Sequence, residues 1–303
     1  MGVIFKKDKM TKQKSGRIFL IINNFSGHHL GERAVETVIP VLLKNGYQVE
    51  HAFTQYPGHA TELASKASFE GFDLVVAVGG DGTVNEAAQG LLGTATPLGI
   101  VPVGSGNGLA RELGIPINMH KSALVLVRGM NRQIDVWKIN NQRFFCASGI
   151  GIDALIAYQM SKAASRGFLR YIQLSIKESI LYKPLKVRIK IDGQALEQSA
   201  FLITFANASQ FGNNAFIAPT ASMSDGLIDV VVVRPFHKIW LPVFAIALFT
   251  KMLHFLPFVK SYKAKKVELE WTDTSLLHYD GEPGKLSVPA TITMDPQNIM
   301  VRC

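Results

Sequence analysis

The chain has 303 residues, 48% hydrophobic and 18% charged, which is enough apolar material for an ordinary core, excludes a disordered protein and predicts two domains or one large one. Two cysteines, Cys146 and Cys303, exclude a disulfide scaffold and a four-cysteine metal site, and the eight histidines are scattered, with only His28 and His29 adjacent, so no zinc spacing occurs. The formal charge of +9 favours an anionic partner, but composition does not choose among nucleic acid, a phosphorylated substrate and an acidic membrane.

Residues 1–14 carry five lysines and no apolar core of a secretory leader. Cysteine usage fits a reduced, cytoplasmic setting. From residue 15 to about 130 two periodicities alternate. Arg17–Asn23 is a continuous apolar run, as expected for a strand buried on both faces. Val35, Val38, Ile39, Leu42 and Leu43 recur at helical spacing, and Gly46 is placed to end that helix. A strand over Tyr47–Phe53, a helix over Ala60–Ala67, a buried strand over Asp73–Val78, a helix over Val84–Leu92 and a strand over Pro97–Val103 follow. Strands alternating with helices imply right-handed crossovers and a mostly parallel sheet, with ligands at the carboxyl ends of its strands.

Beyond Gly129 the pattern turns to antiparallel β structure with few helices. Asn140-Asn141 separates two short strands, and Asp192-Gly193 between Lys186–Ile191 and Ala195–Glu197 signals a hairpin. Phe201–Ala206, Leu227–Val233 and Lys266–Trp271 read as strands, and one helix spans Phe168–Leu181. The domains predicted are 15–130 and 131–303, with the last strands free to return to the first domain. The stretch most like a membrane span, Ile239–Phe249, is about half the length that crossing needs.

Three motifs carry chemistry. Gly79-Gly80-Asp81-Gly82-Thr83-Val84-Asn85-Glu86 ends a buried strand and opens a helix. Its glycines let backbone approach a ligand, and the helix N-terminus offers free N–H groups to a phosphate. Asp81 could serve a magnesium ion or an attacking hydroxyl, or simply cap a tight turn. Gly104-Ser105-Gly106-Asn107-Gly108-Leu109-Ala110-Arg111 also follows a strand. It is neither the dinucleotide fingerprint nor a Walker loop, and two glycine turns at one sheet edge point to a shared ligand. Tyr279-Asp280-Gly281-Glu282-Pro283 sets two carboxylates about a glycine that lets them turn toward one point; alone, this is a solvated turn.

In this order, the three motifs resemble the diacylglycerol kinase catalytic-domain family, which includes sphingosine and ceramide kinases. Asn23-Asn24-Phe25-Ser26-Gly27 resembles its first-strand loop, Thr54 with Gly58-His59-Ala60 the segment after strand two, and Ser224 to Asp229 its Asp-Gly-x-Leu-Asp motif. The resemblance covers about residues 15–300. It implies an α/β nucleotide-binding domain with a mostly parallel sheet, of the NAD kinase and diacylglycerol kinase kind, followed by a β-sandwich. It also implies an ATP- and Mg²⁺-dependent lipid kinase that moves the γ-phosphoryl group to a lipid hydroxyl. Asn23, Asn24, Phe25, Ser26, Gly27, Thr54, Gly79, Gly80, Asp81, Gly82, Thr83, Val84, Asn85, Glu86 and Ser105 match nucleotide-holding positions. Asp225 matches a magnesium ligand, helped by carbonyls at Ser222 and Leu227. Glu282 and Asp280, with Asp81 facing them, match the catalytic carboxylates. Gly108 stands where many diacylglycerol kinases have Asp, which leaves a sphingoid base open beside diacylglycerol.

The rival readings are an NAD kinase, which also uses a Gly-Gly-Asp-Gly-Thr loop but is not marked by the other two motifs, and a non-catalytic lipid or nucleotide binder. A nucleic-acid binder is not expected, because no aromatic-basic module occurs. The expected partner is a lipid substrate at a membrane surface. Contact is expected through Ile239–Val259 and Lys251, Lys260, Lys263, Lys265 and Lys266, peripheral and at the inner face. A homodimer is compatible with this reading.

Overall fold

The computed structural model describes residues 16–23, 30–163 and 168–303. Apolar runs of five or six residues build the first sheet: β1 (Arg17–Ile22), β2 (Gln48–Phe53), β3 (Leu74–Gly79) and β4 (Leu98–Pro102) lie parallel in the order β2-β1-β3-β4. Helices connect them: α1 (Leu30–Lys44), α2 (His59–Phe69), α3 (Asp81–Gly90), then α4 (Gly108–Glu112) and α5 (Met119–Arg128). The strand period of two sends side chains to both faces. Ile18, Leu20, Ile22, Leu74 and Val76 pack on α1 and α5 through Val38, Leu42 and Leu126. Ile21, Val75 and Ala77 pack on α2 and α3 through Ala64, Ala87 and Ala88. Three layers result, as the alternating pattern predicts.

The sheet gains two more strands from elsewhere. β5 (Asn131–Ile134) sits at its edge, and the chain's last strand, which becomes β18 (Ile299–Arg302), runs between β4 and β5, parallel to the former and antiparallel to the latter.

The rest of the chain forms two antiparallel six-stranded sheets. One holds β6 (Trp137–Ile139), β7 (Gln142–Phe144), β9 (Leu185–Ile191), β10 (Gln194–Ala200), β14 (Lys266–Thr272) and β17 (Ala290–Met294). The other holds β8 (Ala147–Gly151), β11 (Leu202–Ala206), β12 (Ile228–Val233), β13 (Val259–Ala264), β15 (Leu276–Tyr279) and β16 (Glu282–Lys285). Phe144, Val187, Ile189, Phe205, Val230 and Leu269 meet between the sheets, so the second half is a sandwich. The Asp192-Gly193 hairpin forms where expected, with φ of 45° and 85° in its two-residue turn.

Three helices cover the second sheet's outer face and edge: α6 (Ile152–Lys162), α7 (Phe168–Leu181) and α8 (Leu241–Thr250). α7 keeps the expected bounds. α6 was not expected: β8 runs straight into it, and apolar residues on several sides blur its period. The apolar stretch near residue 240 becomes a 3₁₀ turn, Lys238–Trp240, and the ten-residue α8. No described helix is long and apolar enough to cross a membrane.

Candidate active site

The first glycine motif occupies the end of β3 and the first turn of α3. Gly80 is the N-cap and offers no side chain, so no cap side chain accepts from the open N–H groups of that turn. Thr83 lies over Gly79, where a Cβ would come within 2.5 Å of its Oγ1. That hydroxyl accepts a hydrogen bond from Asn23 Nδ2 at 2.9 Å, which ties the turn to the end of β1. Thr54, at the end of β2, is buried and donates its N–H to the Ile22 carbonyl. Thus the carboxyl ends of three adjacent strands meet at one edge.

The second glycine motif packs directly on the first. A Cβ on Gly104 would sit 2.5 Å from the Gly80 Cα, so the approach needs glycine. Asp81 clasps the second loop: its carboxylate accepts the N–H groups of Asn107 at 2.9 Å and Gly108 at 2.6 Å. Burial pushes the Asp81 carboxyl above its ordinary pKa, opposed by those N–H donors and the nearby Arg111. Asn107, at φ 52°, bridges back to Gly104 through both ends of its amide. Ser105 lies exposed at the loop.

The sandwich supplies the third motif as a hairpin turn between β15 and β16, with Asp280 at φ 50° and Gly281 at φ 84°. Four donors fill the buried Asp280 carboxylate: the N–H groups of Phe145 (2.8 Å), Cys146 (2.7 Å) and Ala147 (3.0 Å), and Asn85 Nδ2 (2.7 Å). Burial raises its pKa against the pull of those four bonds. The Asn85 bond joins the hairpin to α3, across the two halves of the chain. Glu282 is exposed, and its Oε1 lies 3.9 Å from the point where a Cβ on Gly82 would be. A free carboxylate therefore faces the uncapped end of α3.

Val84 and Glu86 take other work. Val84 is in the core, and Glu86 Oε2 accepts the Ala60 N–H at 3.2 Å in the first turn of α2. Asn24, Phe25, Ser26 and Gly27 lie outside the described residues.

Several residues here carry no motif that singles them out. Asn213 donates its N–H to the Gly106 carbonyl (3.3 Å), Gly212 at φ 112° lies against Gly106, and Ser209 donates to Glu112 at 2.6 Å. This segment seats the sandwich on the second glycine loop. Asp153 Oδ2 of α6 lies 3.2 Å from both His278 Nε2 of β15 and Thr204 Oγ1 of β11, a cluster beneath the strand that leads into the Asp280 turn. The Asn207-to-Asn214 run is glycine-containing and polar, a weak signal that could have been found. The Asp153 cluster joins three distant segments and leaves none.

Ser222, Asp225 and Leu227 form a loop away from these motifs' mutual contacts. Asp225 Oδ2 pairs with Lys263 Nζ at 2.9 Å, and the same ammonium reaches buried Asp229 at 3.2 Å. Asp225 Oδ1 takes the Leu227 N–H at 3.1 Å. Among the described residues no three His, Cys, Asp or Glu side chains group together, so an ion here would rest on Asp225 with backbone carbonyls and water. Lys263 cancels one of the two negative charges of Asp225 and Asp229, so a divalent ion held by Asp225 with the Ser222 and Leu227 carbonyls would have to displace that ammonium.

The comparisons agree with this layout. Residues 17–139 match the diacylglycerol kinase catalytic domain, and residues 147–303 match the YegS C-terminal NAD kinase beta sandwich-like domain. A diacylglycerol kinase of Bacillus subtilis is 31% identical over 276 residues, covering 88% of this chain and 90% of that one. A diacylglycerol kinase of Mycobacterium tuberculosis is 29% identical over 275 residues, covering 88% and 85%. The crystal structure of a diacylglycerol kinase from Bacillus anthracis superposes with a TM-score of 0.76 over 96% of this chain and 98% of that one, at 24% identity. With both halves matched in order and the two glycine loops meeting the Asp280 hairpin, the chain belongs to the diacylglycerol kinase catalytic-domain family.

Proposed function

We propose that this lipid kinase transfers the terminal phosphoryl group of ATP to the hydroxyl of a lipid alcohol. Diacylglycerol is the first acceptor to test, because the named relatives are diacylglycerol kinases; a sphingoid base is the second. The observation that carries the reading is the exposed Glu282 carboxylate facing the uncapped first turn of α3. Backbone N–H groups there suit phosphate oxygens, and the carboxylate suits a hydroxyl proton.

In this reading the first turn of α3 and the adjoining second loop hold the phosphates. Asp81 acts through Asn107 and Gly108, keeping that loop in place. Glu282 accepts the proton as the lipid oxygen bonds to phosphorus and the bond from phosphorus to the bridging oxygen of ADP breaks. Asp280, whose oxygens are filled, positions the hairpin and takes no proton. Magnesium would arrive on the nucleotide's own phosphates and lower their charge. With ATP as donor, the reaction belongs on the cytoplasmic side of a membrane.

The test is turnover of diacylglycerol with labelled ATP by wild type and Glu282→Gln, with a sphingoid base and NAD as rival acceptors. The variant should lose about 10²–10⁴-fold in kcat with the KM for ATP and the thermal midpoint unchanged. Wild-type turnover in Glu282→Gln, or labelled NAD with no labelled lipid, overturns the reading.

A further inference from the structure

The solvent side of α8 departs from the rule for a surface helix. Phe244 and Ala247 pack inward beside Val231 and Val233 of β12. Val243, Ile246 and Phe249 point out, and no residue of Leu241–Thr250 is charged. A helix facing water carries polar residues on that side. The apolar exposure continues beyond both ends: Ile239 is 74% exposed, Ile246 63% and Phe255 69%. α7 also exposes Ile176, Ile180 and Leu181, near the end that Lys238 holds. Lys238 joins the two helices, its Nζ donating to the carbonyls of Ser179 (2.5 Å) and Tyr182 (3.2 Å) at the end of α7.

On the α8 side of this face the charge has one sign, while α7 adds Lys177 and Glu178. No acidic residue occurs between Asp229 and Glu268. Arg234, Lys251 and Lys260 make no ion pair with any described residue. Lys263 pairs with Asp225 and Asp229, and Lys266 with Glu268, so these two lysines are partly balanced where Arg234 and Lys251 are not. A second copy laid on this face by two-fold symmetry would set its cations against cations. An anionic bilayer meets both features, apolar chains beneath and phosphates above. Trp240, half exposed with its ring edge against Phe258, is the residue type that sits at such a boundary.

We propose that the joined face of α7 and α8 docks on an anionic bilayer, Ile239, Ile246 and Phe255 entering the acyl boundary and Arg234 and Lys251 meeting headgroup phosphates. This deepens the lipid-kinase reading by naming the surface on which the acceptor is met, and its test needs no turnover.

The experiment is flotation of nucleotide-free protein with phosphatidylcholine vesicles, with and without phosphatidylglycerol. Wild type should float with the anionic vesicles and release in high salt. Ile246→Glu with Phe255→Glu should bind at least about tenfold more weakly at an unchanged thermal midpoint, and should keep turnover of a soluble short-chain acceptor. Lys251→Asn with Arg234→Gln should lose the preference for anionic vesicles; asparagine suits the left-handed backbone at position 251, where φ is 62°. Equal binding to neutral vesicles, binding unmoved by the glutamate pair, or a lipid-free dimer that the glutamate pair dissolves each overturn the proposal. Flotation without any lipid phosphorylation would keep this surface and remove the kinase reading.

Discussion

At Asp280 four N–H donors converge on one carboxylate, and at Glu282, two residues later, none does. The difference sets what each substitution should do. An amide at 280 keeps one acceptor oxygen and turns an NH₂ toward two donors that then lack a partner. Leaving buried donors unsatisfied costs about 1–3 kcal/mol each, so Asp280→Asn should lose about 2–6 kcal/mol in urea unfolding. The activity that falls with it should follow the folded fraction and the hairpin's position. Glu282→Gln should show the reverse pattern, normal stability with depressed kcat. An Asp280→Asn variant as stable as wild type would remove the positioning role.

At the scale of elements, the site is two loops in backbone contact with a hairpin above them. Gly104 lies so near Gly80 that an added methyl meets backbone, which has no rotamer to swing away. Gly104→Ala should separate the loops. An error of about 1 Å at a phosphate site can cost about a hundredfold in rate, so kcat/KM for ATP should fall by that order while the fold persists. Unchanged kcat/KM would show that the close approach does not position the donors. These loops were legible in the sequence because strand, glycines and helix follow one another within ten residues, where local chemistry decides the shape. Asp280 was legible as a residue but not in its work, since its partners at 145–147 are over 130 positions away. α6 was hidden because Ile152, Ala154, Ile156 and Ala157 are all buried and show no clean helical stripe. Lys263 read as one of a lysine run; only the pairing of β12 with β13 brings it opposite Asp229.

At the scale of the molecule, the chain passes from the parallel sheet into the sandwich after β5 and returns after β17. Asp295 holds that return. Its N–H donates to the Val136 carbonyl, and its carboxylate receives the Gln297 N–H (2.9 Å), Arg143 Nε (2.9 Å) and the Lys138 ammonium (3.7 Å). Burial pushes its pKa up, but the Gln297 N–H, Arg143 and Lys138 together outweigh it and hold the group below the ordinary carboxylate value. A carboxylate depressed in the folded state stabilises fully above the unfolded pKa, near 3.9, and loses that contribution as pH falls through the folded value. Asp295→Asn should therefore be less stable than wild type by about 1–3 kcal/mol at neutral pH, with the gap closing below about pH 4. Because β18 lies between β4 and β5, loosening this return should weaken both halves together. Urea unfolding followed by the fluorescence of Trp137, Trp240 and Trp271 and by circular dichroism should stay one transition in both proteins. A gap that is constant across pH would discount the Asp295 charge, and two separated transitions would show that the shared strand does not couple the sheets.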